Sequence, residues 1–273
     1  MNELELILSD ILHCSRTDLY LNSNLITFKD KEFKTLDRIL RERSRVKPIQ
    51  YILGHTEFMG LRFNIREGVL IPRPETEILV EVAIEEISKI RNRKSTLKIL
   101  DIGTGSGCIA IALAKSLDNV DIVAVDISQD AMNLAKENTR LQKLEDRIKF
   151  IRSDLFNHKF FKTFPKFDII VSNPPYVPTA EIGMFDYTVK KEPRLALDGG
   201  RDGLDFYRRI NKDSQRFLKK NGLLFLELGD RQSDKISGIF SQGWRIEKFI
   251  KDYQGLQRIC IIRKSNEDTI YEM

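Results

Sequence analysis

Four consecutive residues, Asn173-Pro174-Pro175-Tyr176, combine groups that could hold a planar amino group. Asn173 offers a side-chain carbonyl acceptor, and Pro174 offers a backbone carbonyl. Two adjacent prolines lack N–H groups and favour extended geometry, so sheet pairing has to end here and the Pro174 carbonyl is free to face a pocket. Tyr176 adds a flat face for a planar group. Two acceptors would hold both hydrogens of an –NH2 group and aim its lone pair at an electrophile.

We therefore expect Asn173, Pro174 and Tyr176 to be catalytic, and these three together with Pro175 to bind the substrate. Amino groups of this kind occur on adenine, cytosine and glutamine, and the tetrapeptide alone does not choose among them. A proline-rich loop that merely ends a strand is the alternative.

A glycine loop precedes the tetrapeptide in the chain. An apolar run at 98–102 leads into Gly103-Thr104-Gly105-Ser106-Gly107 and then into a segment of small residues. Glycine adopts φ > 0 and lets backbone pass close to a ligand, and open α/β sheets bind ligands where strands end. The spacing is neither the dinucleotide fingerprint nor a Walker loop. It resembles the first motif of class I S-adenosylmethionine (SAM) methyltransferases; a tight turn without a ligand is the alternative.

Two acidic residues end the next two predicted strands. Asp126 could accept hydrogen bonds from both ribose hydroxyls of a nucleoside. Asp154 could accept the adenine amino group while Leu155 packs on the ring, although an isolated Asp is more often a helix cap or turn former. We expect Gly103 to Gly107, Asp126, Asp154, Leu155 and Asn173 to bind the cofactor.

Alternating strand and helix patterns after residue 74 must position these loops. This alternation predicts an α/β fold with a mostly parallel, Rossmann-like sheet covered by helices, and two final runs predict an antiparallel edge. Strands are predicted at 97–102, 122–126, 148–153, 167–172 and 223–228, with the edge pair at 244–250 and 256–262. Helices are predicted at 75–90, 108–117, 129–140, 204–219 and 232–240.

The first part of the chain predicts a small helical domain. Apolar residues at helical spacing form one stripe in the first helix, and a second helix is predicted at 29–43. Its expected buried stripe consists of Phe33, Leu36, Ile39 and Leu40. Glycines then punctuate short apolar runs between Pro48 and Pro74, which predicts a hairpin or linker.

The composition fits a globular protein with a substantial core. The chain has 273 residues, 41% of them hydrophobic, and a net charge of +5. No run approaches the ~20 apolar residues of a membrane helix, and the acidic start is unlike a secretory signal. The cysteines and histidines lack metal-ligand spacing. We expect a monomer in the cytoplasm with no bound metal and no membrane contact.

Longer motifs make the resemblance specific. The segments are Pro48-Ile49-Gln50-Tyr51-Ile52-Leu53-Gly54, Phe58-Met59-Gly60-Leu61-Arg62-Phe63, Val69-Leu70-Ile71-Pro72-Arg73-Pro74-Glu75-Thr76-Glu77 and Glu192-Pro193-Arg194-Leu195-Ala196-Leu197-Asp198-Gly199-Gly200 with Asp202-Gly203-Leu204. Together with the tetrapeptide they resemble peptide chain release factor glutamine methyltransferases, the HemK-like family. The resemblance covers nearly the whole chain.

The resemblance implies methyl transfer from SAM to the side-chain amide nitrogen (N5) of the glutamine in the Gly-Gly-Gln motif of class 1 release factors, with S-adenosylhomocysteine as the product. It implies a helical domain at 1–53 that contacts the release factor, a hairpin linker at 54–74 and a catalytic domain at 75–273. It also implies that the stretch from Pro72 to Glu77 walls the pocket.

Two other functions fit parts of the sequence. An N-methyltransferase acting on a nucleic-acid base, such as adenine N6, could use the same tetrapeptide, and residues 201–264 are basic. An enzyme that methylates a base within a duplex has to flip the base out and needs a target-recognition region. The sequence has no large insertion that could form such a region. We therefore expect no stable nucleic-acid complex. A binding module that has lost its chemistry is disfavoured because both motifs are intact.

Overall fold

Four short helices open the chain and pack on one another. In the computed structural model, which describes residues 3–21, 24, 26–90, 96–164 and 166–265, their cluster is centred on Ile7, Ile11 and Ile39. The helices are α1 (Glu3–Leu12), α2 (Arg16–Leu21), α3 (Asp30–Ser44) and α4 (Ile49–Leu53).

The predicted buried stripe of α3 is partly wrong. Ile39 is buried and Leu36 packs against the cluster, but Phe33 and Leu40 are 57% and 51% exposed. The short helices α1 and α4 cover only a narrow strip of α3, so the outer apolar positions face solvent.

A hairpin follows α4 and packs against the second half of the chain. It comprises β1 (His55–Phe58) and β2 (Leu61–Asn64), joined by a turn in which Met59 and Gly60 both have positive φ. Phe58 and Phe63 are buried in the same cluster as the core of the large sheet. The predicted hairpin is therefore present, and it is anchored to the sheet domain by these two rings.

A seven-stranded sheet follows the long helix α5 (Pro74–Ile90). Its spatial order is β5-β4-β3-β6-β7-β9-β8, with parallel pairs from β5 to β7 and antiparallel pairs at β7–β9 and β9–β8. This confirms the predicted α/β architecture with an antiparallel edge. The strands are β3 (Leu97–Ile102), β4 (Val120–Asp126), β5 (Ile148–Arg152), β6 (Phe167–Ser172), β7 (Leu218–Glu227), β8 (Trp244–Lys251) and β9 (Gln257–Lys264).

Helices cover both faces of this sheet. In addition to α5 they are α6 (Cys108–Ser116), α7 (Gln129–Leu141), α8 (Phe160–Thr163), α9 (Arg194–Leu197), α10 (Asp205–Phe217) and α11 (Ser233–Ile239). One face buries Ile99 together with α5 and α6, and the other buries Leu100 together with α10 and α11, as expected when successive strand residues point to opposite faces.

The largest boundary error concerns α10 and β7. The predicted helix extends to Lys219, whereas α10 ends at Phe217 and β7 already begins at Leu218. Leu218 is fully buried and pairs with Phe167 of β6, so burial and a ladder contact override the local helical pattern. Among the described residues, no helix combines the length and apolar character needed to cross a membrane.

Candidate active site

A cavity lies at the carboxyl ends of β3, β4 and β6. The chain runs outward from β3 to β5 and then crosses back to β6, so neighbouring loops diverge at this point and leave a crevice. Its volume is about 1040 Å³ including the open mouth, which suits a nucleoside-sized ligand. Sequence-predicted residues that line it are Gly103, Thr104, Gly105, Ser106, Asp126, Asp154, Leu155, Asn173, Pro174 and Pro175.

The glycine loop turns sharply between β3 and α6. The φ angles of Gly103 and Gly107 are 73° and 84°, a region that other residues adopt only with strain. A Cβ atom at Gly107 would lie 3.1 Å from the Cβ of Ala135, so this glycine also allows α6 and α7 to pack closely. Gly107 itself is not among the cavity-lining residues. The loop thereby presents its backbone to the cavity while its end is fixed by helix packing.

Asp126 is held rigidly at the end of β4. The Gly105 N–H donates to its Oδ2 and the Ser128 N–H donates to its Oδ1, each at 2.9 Å. Burial raises the pKa of this carboxyl above its ordinary value, and the two N–H donors oppose that shift. Each oxygen keeps a second lone pair, so a diol can bind there without displacing these hydrogen bonds.

Asp154 has a protein partner as well as a place at the cavity. Arg209 of α10 donates to its Oδ1 at 2.7 Å. The Arg209 guanidinium also lies over the Phe206 ring, 5.5 Å from its centroid, and Phe206 lines the cavity. Leu155 follows with a φ of 50° and is buried at the cavity wall. One carboxylate oxygen and two apolar side chains therefore border this end of the cavity.

The tetrapeptide divides into two parts. Asn173, Pro174 and Pro175 line the cavity, whereas Tyr176 does not. Among the described residues, no N–H is hydrogen-bonded to the Pro174 carbonyl, as expected where a ladder ends. The Tyr176 hydroxyl instead donates to Glu227 Oε1 at 3.4 Å, and burial raises the pKa of this phenol well above its ordinary value.

A buried carboxyl group stands behind Asn173. Glu227, at the end of β7, is fully buried and accepts the Thr76 hydroxyl on Oε2 at 2.7 Å. Thr76 in turn accepts Asn173 Nδ2–H at 3.0 Å. Burial raises the pKa of Glu227 to about 7. Sequence reasoning missed this residue, although an isolated acid in an otherwise apolar strand was a usable signal.

The linker builds one wall of the cavity. Pro72, Arg73 and Thr76 line it, together with Val69, which the wall prediction did not include. Glu77 does not line it; its Oε1 accepts the Met59 N–H at 2.6 Å. Glu192, in the loop after β6, binds this wall through Arg73 and the Ile71 N–H. Other lining residues that sequence reasoning missed are Gly68, Leu70, Ile127, Ser128, Ala131, Leu195, Ala196 and Phe206.

Comparison with known proteins identifies the family. Residues 1–54 match the family model described as PrmC N-terminal domain, and residues 76–200 match Methyltransferase small domain. The release factor glutamine methyltransferase of Thermodesulfovibrio yellowstonii is 37% identical over 267 residues, 97% of this chain and 93% of the relative. That of Clostridium botulinum (strain Hall) is 41% identical over 264 residues, 96% and 91% of the two chains. The chain belongs to the release factor glutamine methyltransferase family.

The fold of this family member recurs in solved methyltransferases. A methyltransferase from Pyrococcus furiosus has a TM-score of 0.54 and 19% identity, with 85% of this chain and 98% of that chain covered. At this identity the likeness shows the class I methyltransferase fold alone. The assignment of the chain to the release factor glutamine methyltransferase family therefore rests on its sequence relatives, and the solved structure supports only the fold.

Proposed function

We propose that this enzyme transfers a methyl group from SAM to N5 of the glutamine in the Gly-Gly-Gln motif of class 1 release factors. The observation that carries the proposal is the pair of acceptors at one cavity wall, the Asn173 side chain and the Pro174 carbonyl, in a member of this family. A primary amide presents two hydrogens, and two acceptors can bind both.

The residues present fit SAM. The loop from Gly103 to Gly107 brings bare backbone to the cavity, and Asp126 offers lone pairs suited to ribose hydroxyls. Asp154 keeps one carboxylate oxygen for an adenine amino group, and Leu155 and Phe206 border the same end. When bound, SAM supplies a methyl group on a positively charged sulfur.

The chain's own contribution is orientation. Asn173 Oδ1 and the Pro174 carbonyl accept the two amide hydrogens, which fixes the nitrogen and excludes water from its donors. The nitrogen gains the methyl group and releases one proton, so no strong base is required beforehand. The flat-face role predicted for Tyr176 stays a prediction, because its hydroxyl meets Glu227 and its ring lies outside the cavity lining.

The three predicted segments receive separate roles. Residues 1–53 bind the body of the release factor, 54–74 connect this domain to the cavity, and 75–273 carry out the transfer. We expect a cytoplasmic monomer without a stable nucleic-acid complex. The ends of the first and last segments, Met1, Asn2 and 266–273, lie outside the described residues.

Mass spectrometry of an unmodified release factor incubated with enzyme and SAM tests the function. We expect one added methyl group, located on the glutamine of the Gly-Gly-Gln peptide. Asn173→Ala is the negative control, since the loss of one such hydrogen-bonding group costs about 10²–10³ in rate. No added methyl, with SAM binding intact by calorimetry, would contradict the proposed substrate, and labelled transfer to DNA or RNA would then favour the base methyltransferase.

A further inference from the structure

Two hydrogen bonds connect Asn173 to the interior through Thr76 and Glu227. The three residues come from the end of β6, the first turn of α5 and the end of β7. Asn173 Nδ2 lies 3.0 Å from Thr76 Oγ1, and Thr76 Oγ1 lies 2.7 Å from Glu227 Oε2. Thr76 is 3% exposed and Glu227 is fully buried, so water does not compete for the bond between them. This chain of contacts is called the Asn173 relay below.

The charge of Glu227 determines which group donates and which group accepts in each hydrogen bond of the relay. An ionised carboxylate only accepts hydrogen bonds, so the Thr76 hydroxyl has to donate to it. The Thr76 oxygen is then an acceptor and receives Asn173 Nδ2–H. Among the described residues, no protein donor occupies Asn173 Oδ1. With Nδ2 turned inward, Oδ1 is the Asn173 atom left to accept from a ligand in the cavity.

A glutamine in place of Glu227 would not set this direction. A glutamine amide can present either its oxygen or its NH2 group to Thr76, and a reversed Thr76 hydroxyl would bind Asn173 Oδ1. The Nδ2 group, a donor, would then face the N–H groups of the substrate amide, which are also donors. Burying a carboxylate is costly, and within the described ranges Glu227 forms no ion pair. Stability therefore does not explain a carboxylate at this position.

We propose that Thr76 and Glu227 are positioning residues that fix the Asn173 side-chain amide with Oδ1 toward the substrate. The inference deepens the proposed methyl transfer and rests on it for the identity of the substrate. Neither residue has to touch the glutamine; both act through the rotation of one amide group about its terminal bond.

Several charged and titratable groups face Glu227. The groups that interact electrostatically with it are Glu75 of α5, Cys108 of α6, Tyr176, Tyr207 of α10 and Arg258 of β9. Arg258 is engaged elsewhere, since it donates to Asp252 Oδ2 and to the Leu228 carbonyl. Because the pKa of Glu227 is about 7, the relay carries its charge only above neutral pH. We expect kcat to rise with pH through this range.

A matched pair of variants tests the relay. Thr76→Val keeps the shape of the side chain but removes the hydroxyl, and Thr76→Ser keeps the hydroxyl. We expect Thr76→Val to lower kcat about 10²-fold, the scale associated with a misplaced reacting group, with little change in KM for SAM. Thr76→Ser should retain most of the activity. Equal kcat values for the two variants would overturn the proposal.

A double substitution separates positioning from a general structural effect. If Thr76 acts only through Asn173, adding Thr76→Val to Asn173→Ala should lower the residual rate no further. If the two effects multiply, Thr76 acts by another route and the relay is wrong. Thermal unfolding of each variant shows whether the fold is intact.

A measurement without substrate distinguishes failure of the relay from failure of the proposed function. In protein labelled with ¹⁵N-asparagine, the Asn173 side-chain signals are identified by their loss in Asn173→Ala. We expect Thr76→Val, but not Thr76→Ser, to shift the Asn173 amide protons upfield. Unchanged signals in Thr76→Val would overturn the relay even if release factors are methylated. Shifted signals with no methylation of release factors would retain the relay and reject the substrate.

Discussion

Glu192 and Arg73 form a partly buried ion pair that closes one side of the cavity. The Glu192 side chain is 2% exposed and the Arg73 side chain 32%. Glu192 Oε2 also accepts the Ile71 N–H at 3.1 Å. One carboxylate therefore fastens two residues of the linker to the loop that precedes α9.

Removal of this carboxylate should loosen the cavity wall. We expect Glu192→Ala to lower the free energy of unfolding by about 3 kcal/mol, the scale for breaking a buried pair, and to weaken SAM binding. Urea denaturation and calorimetry measure the two effects. Glu137→Ala is the control, because it breaks an exposed pair with Arg66 and exposed pairs contribute about 1 kcal/mol or less. Equal effects of the two substitutions would contradict the role of Glu192.

Asp126→Asn should weaken SAM binding without unfolding the protein. The amide replaces one carboxylate oxygen by a donor, so either the Gly105 N–H or the Ser128 N–H loses its acceptor. The ribose hydroxyls also lose one charged acceptor, and a hydrogen bond to a charged group contributes about 1.5–3 kcal/mol, which corresponds to roughly a tenfold to hundredfold rise in Kd. Isothermal calorimetry checks this value, with Asp130→Asn, in the first turn of α7, as the matched control. An unchanged Kd would remove Asp126 from the cofactor site.

The free energy of unfolding should decrease as the pH rises, because Glu227 is buried. Its pKa is raised by burial from 4.5 to about 7, so the stabilisation it contributes is fully present below 4.5 and is lost as pH rises through about 7. The shift corresponds to about 3 kcal/mol. Glu227→Gln should therefore be more stable than the parent protein at pH 8 and nearly equal to it at pH 5.

Urea denaturation of both proteins across this pH range measures the difference. Asp101 is also fully buried, and burial raises its pKa to about 7, so some pH dependence should persist in Glu227→Gln. Parallel stability curves for the two proteins would show that Glu227 is not the group responsible.

The exposed apolar residues of α3 should contribute to release factor binding. Phe33 and Leu40 are seven residues apart, so they lie two turns apart on one side of the helix. Joint replacement by serine should raise KM for the release factor about tenfold, which corresponds to about 1.4 kcal/mol for the pair. The value of kcat should be unchanged. Tyr253→Ser is the control, since Tyr253 is 86% exposed in the turn between β8 and β9.

Steady-state kinetics with a purified release factor provide the measurement. A KM equal to that of the parent protein would place the docking surface elsewhere. A parallel loss in kcat would instead indicate a disturbed catalytic domain.

The sheet could be predicted from sequence because its strands are short, apolar and bounded by turns. The bounds of β3 and β6 agree with the prediction at both ends. The glycine loop and the tetrapeptide follow these two adjacent parallel strands, so their meeting at one edge also followed from the sequence. Periodicity gave the direction of the apolar face of α3 but not its covered width, which depends on the size of the neighbouring helices.

The interior partners of the site could not be predicted. Thr76 and Glu227 are 151 residues apart, and the Asp154–Arg209 pair joins residues 55 apart. Such contacts depend on which helix packs over which strand, and local spacing does not encode that. Tyr176 illustrates the same limit: its proximity to Asn173 along the chain suggested a place in the cavity, whereas its hydroxyl donates to the buried Glu227, a partner 51 residues away.

The cavity wall formed by 68–73 has a consequence for modular evolution of the enzyme. Val69 lines the cavity, and its carbonyl accepts the Tyr51 hydroxyl of α4 at 2.7 Å. The segment that matches the small methyltransferase domain, 76–200, thus lacks part of the wall of its own cavity. Recombination between homologues at residue 75 would join the cavity wall of one homologue to the remaining cavity of the other. A crossover before Tyr51 keeps the wall and the cavity from the same homologue. Exchange of the N-terminal helices between homologues should therefore be selected against when the junction falls inside the linker.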